Sequence, residues 1–205
     1  MAERLDDTDF LARALTMHGN ELRKAGRVDA AIGRVARGLA LARDSQARAS
    51  ACAMLARAAG ETGRADLFDD AIDGYRRHLA ETDGTGMLAN PFTFHEMLLR
   101  GLVATGRAAR AARLLHARPS PPVAPQWTVI EQITVGEVLL ATGDRSGAEN
   151  ALLAALVGAE TYQLPHQVQR AVRSASSCGI DSAARTGRAW LSQLDENGRP
   201  AAGIW

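Results

Sequence analysis

The chain has 205 residues, 24 basic and 23 acidic, for a formal net charge of +1. A nucleic-acid binder normally carries a basic excess or a basic face; the total gives no support for the excess and leaves a local patch open, and direct nucleic-acid binding is not expected. Apolar residues make up 46% of the chain but aromatics only 4%. The apolar share is therefore mostly alanine and leucine, strong helix formers that also let helices approach closely. Sheets draw instead on Val, Ile, Tyr and Phe. The composition predicts an all-α protein.

Residues 1–10 carry Glu3, Asp6, Asp7 and Asp9 without an apolar centre, which is unlike a signal peptide. No run approaches the roughly 18 apolar residues that span a bilayer. A soluble, cytoplasmic protein with no membrane partner is expected. The basic charge is almost all arginine, with Lys24 the only lysine, a composition like that of high-GC bacteria.

Next along the chain comes a repeated phrase. It reads Lys24-Ala25-Gly26-Arg27, Glu61-Thr62-Gly63-Arg64, Ala104-Thr105-Gly106-Arg107 and Ala141-Thr142-Gly143-Asp144, with a weaker copy at Ser177-Cys178-Gly179-Ile180. The glycines are 37, 43, 37 and 36 residues apart. Each follows one apolar-periodic segment and precedes another, as expected of a residue with positive φ ending the first helix of a pair. The first copy has Leu15, Gly19 and Leu22 before its glycine and Ala31, Ile32, Val35 and Leu39 after it. The second has Cys52, Leu55, Ala56 and Ala59, then Ala71, Ile72, Tyr75 and Leu79, with a three-residue insertion expected within 65–69. The third has His95, Leu98, Leu99 and Leu102, then Ala111, Ala112 and Leu115. The fourth has Val135, Gly136 and Leu139, then Ala148, Leu152, Ala155 and Leu156. The fifth has Val168, Ala171, Val172 and Ala175, then Ala184 and Leu191.

This pattern resembles the tetratricopeptide repeat, whose period is about 34 residues. The resemblance runs from about Leu11 to Leu194, without the family's first-helix tryptophan or terminal proline. It implies an α-solenoid of about five tetratricopeptide-like helical hairpins. One repeat domain is expected over 1–194 and a polar tail over 195–205, ending in Ile204-Trp205. Loops around Asp83-Gly84-Thr85-Gly86 and a proline-rich stretch at 119–125 interrupt the array without being read as domain boundaries.

In such a solenoid the first helices line a concave groove. Projecting the repeat places Thr16, Asn20 and Lys24, then Arg57 and Glu61, then Glu96 and Arg100, then Glu137, then His166, Gln169 and Arg173 on that face. Asn20, Arg57, Arg100, Glu137 and Arg173 hold equivalent positions. The resemblance implies that Asn20 matches an asparagine which, in peptide-binding members, holds ligand backbone or carboxylate. Arginine forks bind carboxylate or phosphate in bidentate fashion. The candidate ligand-binding set is therefore Asn20, Arg57, Glu96, Arg100, Glu137, His166 and Arg173, facing a peptide, a protein or a small anion. The alternative is that the arginines only bridge to Glu61, Glu96 and Glu137 on a solvated face.

No catalytic motif stands out. The five histidines are scattered, no pair has the i, i+4 metal spacing, and no phosphate loop or nucleophile elbow is present. No catalytic residue, metal site or cofactor is expected. His18 and His95 fall at expected core positions, as do the unpaired thiols of Cys52 and Cys178. Trp127 is expected to pack against the proline-rich stretch; with Glu131 it could instead wall a pocket.

Pro125-Gln126-Trp127-Thr128-Val129-Ile130-Glu131, the run from Gly136 to Asp144, and Leu164-Pro165-His166-Gln167-Val168-Gln169-Arg170 resemble the C-terminal repeat region of actinobacterial helix-turn-helix (XRE-type) transcriptional regulators. That resemblance implies ligand sensing or dimerisation, in a chain that is a fragment of a regulator or a relative without its DNA-binding domain. The leading expectation is a regulatory binding module, with a homodimer possible. The alternatives are an assembly adaptor, or an enzyme of secondary metabolism using His166, Glu96 or Glu137 as acid or base.

Overall fold

The computed structural model describes residues 8–117, 124 and 126–198. Ten helices are found among them: α1 (Thr8–Lys24), α2 (Val28–Leu41), α3 (Ser45–Glu61), α4 (Ala65–Leu79), α5 (Pro91–Ala104), α6 (Ala108–Leu114), α7 (Gln126–Ala141), α8 (Arg145–Thr161), α9 (Pro165–Ser177) and α10 (Asp181–Gly198). No strand occurs among the described residues. Each odd-numbered helix packs against the even-numbered one that follows it.

The five expected turns are all present, and each is built the same way. Gly26, Gly63, Gly106, Gly143 and Gly179 have φ of 75°, 67°, 78°, 89° and 68°. Each glycine N–H donates to the carbonyl three residues back, and the next residue's N–H to the carbonyl five back, as in Arg107 to Leu102 at 2.7 Å. This is the Schellman arrangement, which satisfies carbonyls that a helix end leaves open and needs a left-handed residue at the glycine position.

The residue five places beyond each glycine is deeply buried at the helix crossing: Ala31, Phe68, Ala111, Ala148 and Ala184 are at most 1% exposed. The second pair therefore contains no insertion. Helix α4 starts directly at Ala65, and Phe68, not Ala71, occupies the position that is alanine elsewhere. Glycine on neighbouring helices makes room: a Cβ at Gly101 would overlap the Phe68 ring, and one at Gly60 would meet that ring at 4.0 Å.

By packing, the chain divides into two units, Met1–Pro121 and Pro122–Trp205, a division that falls inside the stretch 1–194 expected to form one domain. In the first, α3 is buried nearly all round, from Ala47 to Gly60, because α1, α2, α4 and α5 all pack on it. Val35, Cys52, Phe68, Ile72, Tyr75, Phe92 and Leu102 are among its core residues. Tyr75 donates its hydroxyl to the Leu88 carbonyl, pinning the loop before α5. In the second unit Val129, Ile133, Leu152, Leu156, Val168, Ala171 and Ile180 form one cluster, with Trp190 and Leu191 against its edge. No helix among the described residues is long and apolar enough to cross a membrane.

Three burial expectations fail. His18 is exposed, because the buried stripe of α1 is Ala12, Leu15, Thr16 and Gly19, which leaves position 18 on the outer side. Thr16, expected in the groove, is 3% exposed and lies where a Cβ at Gly38 would touch its Oγ1 at 2.9 Å. Cys178 is exposed, since it caps α9 directly before the turn glycine, past the last core-facing position. Cys52 is buried as expected, and His95 is half-buried.

Candidate functional site

The first unit gathers a charged cluster on α1, α3 and α5. Its members follow helical spacing: Asn20 and Arg23 on α1, Arg57 and Glu61 on α3, Glu96 and Arg100 on α5. Arg23 Nη1 donates to Glu61 Oε1 at 2.5 Å, while its Nε and Nη2 reach Asn20 Oδ1 at 3.2 and 3.1 Å. Arg100 Nη1 lies 3.4 Å from Glu96 Oε1, and Glu96 is only 8% exposed.

Arg57 differs from its neighbours. Its nearest carboxylate contact is with Glu61, at 4.0 Å from Nε, and that carboxylate already serves Arg23. Arg57 Nε is buried and has no hydrogen-bond partner. Burial, and then the positive charges of Arg100 and Arg23, pull its pKa down to about 10, against the opposing pull of Glu96 and Glu61. It stays a cation at neutral pH, held where a cation is poorly compensated. The guanidiniums of Arg100 and Arg23 and the carboxylates of Glu96 and Glu61 all act on it.

The cluster thus brings together four of the seven candidate residues: Asn20, Arg57, Glu96 and Arg100. The other three lie in the second unit. Glu137 on α7 is held by Arg170 on α9, with Nη2 to Oε2 at 2.8 Å and Nε to Oε1 at 3.2 Å. Ser174 Oγ adds a contact at 3.0 Å to Glu137 Oε1, and Arg170 Nη2 also donates to Thr134 Oγ1 at 3.0 Å. This network ties α7 to α9. His166 and Arg173 are exposed on α9 and take no part in those bonds. The packing expected of Trp127 on the proline-rich stretch, and any role for Ile204-Trp205, lie outside the described residues.

The repeat projection missed Arg23 and Arg170, the residues that hold Glu61 and Glu137. A usable signal was present: the pairs are 38 and 33 residues apart, close to one repeat. Two more such bridges join successive pairs near their turns, Arg64 to Asp29 at 2.7 Å and Arg107 to Asp69 at 2.7 Å. Arg23, Arg64, Arg107 and Arg170 thus tie one helix pair to another through an acid, and Arg57 does not.

Compared with known proteins, the sequence matches no family model and no curated protein.

Proposed function

We propose that the chain is a tetratricopeptide-like regulatory binding module, with three hairpins in its first unit and two in its second, which takes an anionic ligand on the α1–α3–α5 face. The observation that supports this is Arg57, a half-buried cation whose Nε is buried without a hydrogen-bond partner and whose neighbours include two more arginines. Burying a charge is costly unless it is paired. An incoming carboxylate would add a counter-charge at the exposed part of Arg57 and offset the repulsion that Arg100 and Arg23 exert on it. Arginine presents a fork suited to that group. An acidic peptide or a peptide C-terminus fits the chemistry, with Asn20 and Arg100 flanking Arg57.

A thermal-shift screen of acidic peptides and small carboxylates tests the assignment. A ligand at a hundredfold excess over its dissociation constant stabilises the fold by roughly 2.7 kcal/mol. The Arg57→Gln/Arg100→Gln protein should remain folded and lose that stabilisation. A ligand whose effect survives both substitutions would place binding elsewhere.

A further inference from the structure

The first unit also contains an open groove of about 570 Å³ between α2, α3 and α4. It is separate from the arginine cluster and shares no residue with it. Its floor is apolar, with Leu39, Leu55, Ala71 and Cys52. Gly74 keeps that floor open, because a Cβ there would stand 3.0 Å from Cys52 Sγ. Three basic side chains, Arg48, Arg77 and His78, line the groove against one acid, Asp70.

The three basic groups are not equally available. Arg48 donates its Nε to the Ala42 carbonyl at the end of α2, at 2.9 Å. His78 turns Nδ1 toward Glu81 at 3.5 Å. Arg77 is exposed and makes no ion pair among the described residues. It lines the groove together with Cys52 and the other apolar floor residues. The thiol itself is buried, and burial pushes its pKa up to about 11, so it offers a neutral, apolar surface and not a nucleophile. A volume of this size is in the usual range for small-molecule sites, which combine an apolar lining with a few placed polar groups.

We propose that this groove binds a small amphipathic carboxylate, with its apolar body on Leu39, Leu55 and Cys52 and its head on Arg77. Charge complementarity and an apolar floor beside an uncommitted guanidinium select this class. A cation is disfavoured by Arg48 and Arg77. A fully apolar molecule would gain nothing from Arg77, and a highly charged anion would leave the floor uncovered.

Calorimetric titration of the full chain with decanoate and with decyltrimethylammonium tests the assignment. Saturable one-to-one binding of decanoate is expected, with no binding of the cation. Arg77→Glu should weaken decanoate by at least about tenfold. Ala40→Phe, a substitution on an exposed rim residue of the groove, should weaken it similarly without entering the core. The Arg57→Gln/Arg100→Gln protein should bind decanoate like the wild type, which separates this site from the α1–α3–α5 face. The proposal is overturned if decanoate does not bind saturably, or if the cation binds equally well. It is overturned too if Arg77→Glu and Ala40→Phe both leave affinity unchanged, or if binding disappears with Arg57 and Arg100.

Discussion

Arg107 holds both oxygens of Asp69, with Nη1 at 2.8 Å from Oδ1 and 2.7 Å from Oδ2, across 38 residues of sequence. The same guanidinium lies over the Phe68 ring, 5.3 Å from its centroid. One side chain thus ties the turn after α5 to the start of α4 through a charge and a π face. The pair is partly exposed, at 26% and 49%, so the ion pair alone should contribute only about 0.5–1 kcal/mol, and the ring contact about 0.5–1 kcal/mol more. Arg107→Ala should therefore lose roughly 1–2 kcal/mol in denaturant titrations. Arg107→Lys should recover little, because it lacks the planar fork. A double-mutant cycle with Asp69→Asn that shows no coupling would make the bridge incidental.

Helix crossings give a second prediction. Gly101→Ala places a methyl group into the Phe68 ring, and Ala148→Leu crowds a crossing at which Ala148 is 0% exposed. Gly136 meets Leu152 and the Ala148 carbonyl at that crossing, its Cβ position lying 3.0 and 3.5 Å away. Each substitution should cost about 1–3 kcal/mol by overpacking. Gly106→Ala is a contrasting control. Nothing lies within 4 Å of its Cβ position, and its cost, about 1–2 kcal/mol, comes from holding an L residue at φ 78°. An unchanged melting temperature for Ala148→Leu would contradict the closeness of α7 and α8.

The turns within the pairs were legible in the sequence because glycine takes the left-handed conformation that ends a helix at no steric cost; the same turn after α8 is made by Gln163, at φ 53°, and carries no such signal. The crossing residues were legible in four pairs and missed in the second. There, Phe68 stands where alanine stands elsewhere, and its space comes from Gly60 and Gly101 on other helices. A local pattern cannot show that exchange of volume, and so Ala71 was aligned in its place by an insertion that does not exist. The candidate site was legible to within about one helical turn. Arg57, Glu96 and Arg100 cluster with Asn20, but Arg23, three residues after Asn20, takes the ion pair with Glu61. Which arginine reaches an acid one repeat away depends on helix rotation, and apolar spacing leaves that rotation loosely defined.

Asn90 carries a third prediction. It is 1% exposed and works in both directions. Its Oδ1 accepts from the Thr93 N–H at 2.8 Å, capping α5. Its Nδ2 donates to the Gly86 and Met87 carbonyls, at 2.8 and 3.0 Å. Asn90→Ala removes the cap and leaves buried groups without a partner, at a cost of about 2–3 kcal/mol. Asn90→Asp keeps the capping oxygen but loses both donors, so it should not restore wild-type stability. Thermal denaturation of both variants checks this; full recovery with aspartate would show that the carbonyl contacts contribute nothing.

The last prediction concerns the sign of the Arg57 contribution. Burial first, and Arg100 and Arg23 next, lower its folded-state pKa from 12.5 to about 10. The folded chain therefore holds this proton less tightly than the unfolded chain does. The resulting penalty is fully present below about pH 10 and is relieved as pH rises through that value. At neutral pH, Arg57→Gln should make the ligand-free protein more stable. No acid is orphaned by the change, because Glu61 keeps Arg23 and Glu96 keeps Arg100. With the side chain 30% exposed, solvent screening limits the gain to roughly 0.5–1 kcal/mol, a rise of about 1–4 °C in Tm. The gap between variant and wild type should hold up to about pH 10 and narrow only as pH rises through that value. A structural arginine would behave in the opposite way, with Arg57→Gln lowering Tm at pH 7. That result would remove the main support for an anion site on this face, whereas a stabilised variant that no longer responds to acidic peptides would show that stability is spent there on binding.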